Sequence, residues 1–150
     1  MAREHPWGKG TIKHSYLVAV GSSKTLTVPA GKVWKILMAE AYLAPNATGG
    51  NRAIQVDITD GTNNVYTVAP SAAIAAGSNG GFRYGTGITI STTAFRKLTN
   101  TAQNVAVAIS DSLPELYLPV GYTVKLWDSG AVDPAGDTLT TSVLYVEYDV

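Results

Sequence analysis

The sequence predicts an all-β fold: a single-domain jelly-roll or β-sandwich of about eight antiparallel strands, with an extended N-terminal arm. Three observations predict it. Residues 28–37 read V-P-A-G-K-V-W-K-I-L, and residues 118–127 read L-P-V-G-Y-T-V-K-L-W. Pro119 minus Pro29 and Gly121 minus Gly31 both give 90, and Lys35 and Lys125 hold matching places. Proline presets φ for the second turn position and glycine suits the fourth, so each copy is a strand–turn–strand corner. Two such corners suggest a closed β-body whose halves mirror each other. Elsewhere, apolar residues alternate with period two, and turn signals recur at roughly 8–12 residues. No segment carries a helical stripe over three turns.

Residues 1–10 (MAREHPWGKG) lack periodicity and read as an arm, ordered only against a surface. The body is then 11–150. Trp7 in the arm either folds back onto its own domain or anchors in a neighbouring subunit, where aromatic side chains dominate binding energy. Lys13–Val20 is the first strand, with Tyr16, Val18 and Val20 on one face. Gly21-Ser22-Ser23 turns the chain, and Lys24–Val28 leads to the first corner. Val33–Leu43 follows. Strict alternation puts Trp34, Ile36, Met38 and Tyr42 on one face and Val33, Leu37, Ala39, Ala41 and Leu43 on the other. A strand apolar on both faces is covered on both, and here the second cover would be another subunit. A short helix over Met38–Ala44 is the lesser alternative.

Pro45–Asn51 is a loop. Arg52–Asp60 alternates, with Ile54, Val56 and Ile58 inward and Gln55, Asp57 and Thr59 outward. Asp60-Gly61-Thr62-Asn63-Asn64 is a hairpin signal, and Val65–Val68 returns. Ala69–Thr93 is rich in Ala and Gly and reads as a long loop, holding a helical turn near Ser71–Ala76 and a strand near Ile88–Ser91. Loops of that length pack on something or carry function. Asn104–Ser110 alternates through Val105, Val107 and Ile109. Leu116–Leu118 enters the second corner and Tyr122–Trp127 leaves it. Asp128–Asp137 is a loop, and Thr138–Val150 is the last strand.

At 150 residues the chain suits one domain. It can bury roughly 70% of its unfolded surface, enough for a core without staples. It has no cysteine, so disulfides and thiolate zinc sites are excluded. Lys and Arg number 11, as do Asp and Glu, so no net field draws nucleic acid or an anionic membrane. Only 15% of residues are charged, against the usual quarter. A weakly charged surface suits a chain covered by partners. No stretch approaches the ~20 apolar residues of a membrane helix. The N-terminus lacks a signal-peptide apolar run, which suggests synthesis and retention in the cytoplasm unless the chain leaves in an assembly.

No reactive constellation stands out. His5 lies in the arm and His14 at the edge of the first strand, neither with a companion at metal-ligand spacing. No Gly-x-Ser-x-Gly occurs, so no nucleophile elbow is suggested. Asp57, Asp60 and Asn63 surround a hairpin, and Asp128, Asp133 and Asp137 share a loop. Calcium takes six to eight oxygens, but the EF-hand pattern is absent and Asp is ordinary turn chemistry. Gly77-Ser78-Asn79-Gly80-Gly81 lacks the Lys-Ser/Thr ending of a phosphate loop. Trp34 and Trp127 follow the two corners one residue out of step, hence on opposite faces. One then belongs to the core and the other to a subunit contact, in preference to a sugar-stacking platform. Neither a catalytic group, a cofactor nor a metal is expected.

The corner Val28–Leu37, the Arg-x-Ile-x-Val-x-Ile strand and hairpin over Arg52–Gly61, and the Leu-Pro-x-Leu-x-Leu-Pro-x-Gly-Tyr stretch from Leu113 carry a resemblance. Together they resemble the jelly-roll head decoration, or cement, proteins of tailed bacteriophages, over most of Lys24–Asp149. Such corners also recur in other jelly rolls, including tumour-necrosis-factor-like trimers. The resemblance implies a homotrimer on the outside of a virion capsid, contacting the major capsid protein and neighbouring trimers, with residues 1–10 in the place of a reaching arm. Interface residues are then expected at His5, Pro6, Trp7, Trp34 and Trp127. The rival reading is a receptor- or carbohydrate-binding jelly-roll module of a tail fibre or baseplate. A jelly-roll hydrolase or lyase ranks third.

Overall fold

Ten strands form among the described residues, which in the computed structural model are 6–20, 23–46, 50–86, 107–129 and 136–150. They are β1 (Thr11–Val20), β2 (Ser23–Thr27), β3 (Lys32–Ala44), β4 (Ile54–Thr59), β5 (Asn64–Val68), β6 (Gly80–Gly85), β7 (Val107–Ser112), β8 (Tyr117–Leu118), β9 (Thr123–Asp128) and β10 (Thr138–Asp149). No helix occurs among these residues. Two sheets pack face to face as a β-sandwich. The larger runs β1-β10-β3-β6-β7, with β8 also on β3; the smaller runs β2-β9-β4-β5. The pairs β1–β10, β2–β9 and β3–β8 nest around the β4–β5 hairpin. That is the pattern of one long hairpin rolled up, as in a jelly roll.

The 90-residue repeat has a direct structural meaning. The first corner carries the chain from β2 in the smaller sheet to β3 in the larger. The second carries it from β8 in the larger sheet to β9 in the smaller. The corners are hydrogen-bonded to each other. The Val28 N–H donates to the Tyr122 carbonyl at 2.9 Å, and the Gly121 N–H donates to the Val28 carbonyl at 3.0 Å. A paired ribbon therefore bends from one sheet into the other. Gly31 and Gly121 sit at φ 71° and 83°, a region that side-chain-bearing residues avoid.

The core lies between the sheets. Ala39, Ala41 and Leu43 of β3, with Phe82 and Tyr84 of β6, face Ile54, Val56 and Ile58 of β4 and Val124 and Leu126 of β9. Trp34 and Ile36 join the same cluster. Strict alternation put these two on the other face from Ala39. A β-bulge resolves the difference: Leu144 pairs with Met38 but Tyr145 pairs with Ile36, so Leu37 is the extra residue. The extra residue shifts the phase of everything after it.

Four further expectations are corrected. Among the described residues the count is ten strands rather than about eight. The Ala/Gly-rich stretch supplies β6, whose glycines gave no alternation to read. No helical turn forms over 71–76; Ile74 is instead fully buried and bridges Arg52 in antiparallel fashion. And β7 joins β6 in parallel, the one parallel pair among the described strands. Several expectations fall outside the described residues: His5, the turn at 21–22, the strand near 88–91, Val105, Asp133, and the side chains of Val18, Val20, Val107 and Ile109.

Gly121 has open space where a Cβ would lie, so its strain is purely conformational. Gly121→Ala is expected to lower the unfolding free energy by about 1–2 kcal/mol, read as a lower urea midpoint at unchanged m-value.

Candidate functional site

At the end of the sandwich opposite the corners, charge is buried. Arg52, Asp128 and Asp137 are each at most 1% exposed. Arg52 Nε donates to Asp137 Oδ2 at 2.8 Å, and Nη2 donates to Oδ1 at 3.3 Å, a forked pairing. Arg52 Nη1 donates to the Gly50 carbonyl at 2.6 Å. Asp128 stands 3.5 Å from Arg52 Nε and accepts the Ala53 N–H at 2.9 Å. Asp137 also accepts the Asn46 N–H. The group joins the end of β3, the start of β4, the end of β9 and the start of β10. Asp128 and Asp137 therefore act as more than turn residues. Full burial keeps substrate away, so the chemistry is a clasp and not a reaction centre.

The outer face of the smaller sheet is mostly polar, with the Trp127 ring on β9 and exposed Val65 and Tyr66 on the edge strand β5. Asp57, 4% exposed, is the hub. It accepts the Trp127 indole N–H at 2.5 Å, the Thr67 hydroxyl at 2.7 Å and the Gln55 amide at 3.0 Å. Three strands thus fix one carboxylate. The Trp127 ring is half-buried, with Lys125 Nζ 4.6 Å from its centroid. Thr59 and Thr123 share a hydroxyl–hydroxyl bond one row away.

The outer face of the larger sheet brings together residues that sequence reading left apart. Arg83 Nε donates to the buried Glu40 carboxylate. One strand over, His14 Nε2 is 2.6 Å from Ser142 Oγ. β1 and β10 lie antiparallel with His14 opposite Leu144 and Tyr16 opposite Ser142, so His14 and Ser142 are diagonal neighbours on one face, and spacing along the chain gave no hint of it. A serine beside a histidine is the start of a nucleophilic pair. Here both lie on the outer face of the larger sheet, with β1 at its edge. Asp111, near the sheet edge, accepts the Ser71 N–H.

At the corner end, aromatic and apolar side chains collect. The Trp7 ring lies 5.2 Å from Tyr117 and 5.9 Å from Tyr148. Gly10 passes so close to β10 that a Cβ there would come 2.3 Å from Val146 Cγ1. Residues 7–10 thus lie against their own domain. Pro6 is exposed just before them. Val120 at the second corner is 54% exposed, and Val150, whose N–H donates to Gly31, is 63% exposed. Ile12, two strand positions from this end, is 67% exposed. Trp34 is different. It is buried in the core, stacked on Tyr145 at 4.1 Å, with its indole N–H on Glu147.

Among the described residues, no three His, Asp or Glu side chains gather as a metal site, and no helix is long and apolar enough to cross a membrane. Comparison with protein-family models, with curated proteins and with solved structures finds no match to this chain.

Arg52→Ala would leave two carboxylates buried without their cation. It is expected to cost about 3–5 kcal/mol of stability, measured by urea unfolding. At the β4–β5 hairpin, the N–H groups of Asn63 and Thr62 hold the Asp60 carboxyl below the ordinary aspartate value of 3.8. A lowered folded-state pKa stabilises fully above pH 3.8 and fades as pH falls through the lowered value. Carbon-detected NMR titration of Asp60 is expected to show the depressed midpoint. Asp60→Asn is expected to flatten that part of the acid-unfolding profile.

Proposed function

We propose that this chain is a non-enzymatic structural subunit of a virus particle: a homotrimeric decoration protein that binds the outside of a tailed-bacteriophage head. The observation that carries this reading is the corner end. Val120 and Val150 are exposed at the corners, Trp7 packs on Tyr117 and Tyr148 at that end, and Ile12 is exposed near the same end of β1, on a body with few charges. Contiguous exposed apolar surface marks a place where another protein sits. Copies meeting through this end would bury it, and the segment bearing Trp7 lies where a neighbour can also touch it. The major capsid protein and adjacent trimers are the partners in this reading.

The mechanism is mass action. A subunit that binds only the assembled lattice stabilises that lattice. Weak contacts tied together in a trimer give avidity without any one tight site. The reading needs no reaction centre.

Light scattering is expected to give a trimer, and sedimentation is expected to carry the protein down with expanded tailed-bacteriophage heads. A clean monomer that ignores those heads would remove the proposal. Val120→Asp puts a charge at the end of the body and leaves the core alone. It is expected to weaken association tenfold or more, equivalent to about 1.4 kcal/mol, with an unchanged β-sheet circular dichroism spectrum.

A further inference from the structure

The smaller sheet's outer face carries a feature that fastening a shell does not use. A solvated antiparallel face is ordinarily a carpet of hydroxyls and charges. Most of this one is: Ser23, Thr25, Thr27, Thr59, Thr67 and Thr123 all point outward by register. Yet near the end of β9, opposite Ser23 and Gln55, stands a tryptophan held by a carboxylate that is itself nearly buried.

The arrangement fixes Trp127 at low entropic cost. Asp57 takes three side-chain hydrogen bonds, from β4, β5 and β9. The indole is tied at its N–H, so its ring keeps one orientation on the sheet. Lys125 places an ammonium 4.6 Å from the ring centroid, so a cation of this chain already rests on one π-face. In the next column, Thr25 pairs with Lys125 in the ladder and adds an exposed hydroxyl. The result is a flat ring bordered by an amide, a carboxylate, an ammonium and hydroxyls.

We propose that this face is a saccharide-binding subsite, with Trp127 as the stacking platform and Gln55, Lys125, Thr25 and Thr67 as its hydrogen-bonding border. The occupant is a pyranose ring within a polysaccharide. Its C–H face is apolar and electron-poor, which suits the electron-rich face of an indole. Its hydroxyls stand in a ring around that face and need donors and acceptors at the edge. Lys125 and the sugar compete for one π-face, and the flexible lysine stem can swing aside to meet a hydroxyl. Asp57 is a positioning residue: it holds the indole and the Gln55 amide. The inference does not depend on the shell reading, which rests on the opposite features of the molecule.

The test is a glycan array followed by NMR titration of the full chain, with dextran as the neutral probe and alginate as the acidic one. Binding is expected to move the Trp127 indole N–H signal and leave that of buried Trp34 in place. Trp127→Ala is expected to lower affinity tenfold or more. Should that variant unfold, Trp127→Phe keeps a ring and is expected to retain weaker binding. Asp57→Asn is expected to shift the indole signal in the free protein and weaken binding several-fold. Lys125→Ala is expected to weaken alginate more than dextran if the ammonium meets a carboxylate, and both alike if it meets hydroxyls; either result supports the subsite. An array without hits together with an unmoved Trp127 signal would overturn the inference, as would a folded Trp127→Ala that binds as the parent does. A monomer that binds saccharide keeps this inference and loses the shell reading.

Discussion

Two hydrogen bonds between the corners meet at Val28. Its N–H goes to Tyr122 and its carbonyl takes the N–H of Gly121. Each partner lies in the other corner, so the two places where the chain leaves one sheet for the other are a single bonded unit. This is why β2 can pair with β9 in one layer while β3 pairs with β8 in the other. Both layers inherit their relative position from that ribbon. The prolines and positive-φ glycines are local devices that let two chains make the same bend side by side.

The opposite end carries the Arg52–Ile74 backbone bridge and a cluster of buried charged side chains. The Arg52 fork to Asp137, with Asp128 alongside, joins the far ends of four strands drawn from both sheets. Tyr84 adds a buried bond from β6 to the Ile54 carbonyl across the core. Burial pushes the Tyr84 hydroxyl pKa up, so it stays a neutral donor. A buried ion pair gains little net free energy over a well-packed apolar replacement. Its contribution is geometric: a planar guanidinium accepts a carboxylate in few orientations. One end of the sandwich is thus set by a bonded backbone ribbon and the other by a charged fork beside a backbone bridge, with the apolar core between.

Much of this was legible in the sequence, and the failures have physical causes. Corners, alternating strands and the Asp60 hairpin are local patterns, and each appears where its residues put it. The single-domain all-β class follows from them. The phase of β3 was not legible, because a one-residue bulge at Leu37 leaves no mark in hydropathy. β6 was missed because three of its six residues, Gly80, Gly81 and Gly85, are glycines, and glycine has no side chain to alternate. The functional candidates are harder still. Asp57 and Trp127 are 70 residues apart, and His14 and Ser142 are 128 apart. Such pairs exist only after strand order is fixed, and strand order is not written in spacing. Arg52 looked like the polar start of a strand, since nothing local distinguishes an arginine that will be buried from one that will not.

The place of β10 has a consequence for how the molecule comes into being. It lies between β1 and β3, yet residues 138–149 are synthesised after all nine other strands. On the ribosome, β1 waits more than a hundred residues for its partner, and β3 holds one edge open for nearly as long. Pairing over such sequence distances is slow. Until the last strand arrives, both edges are templates for any nascent copy emerging nearby.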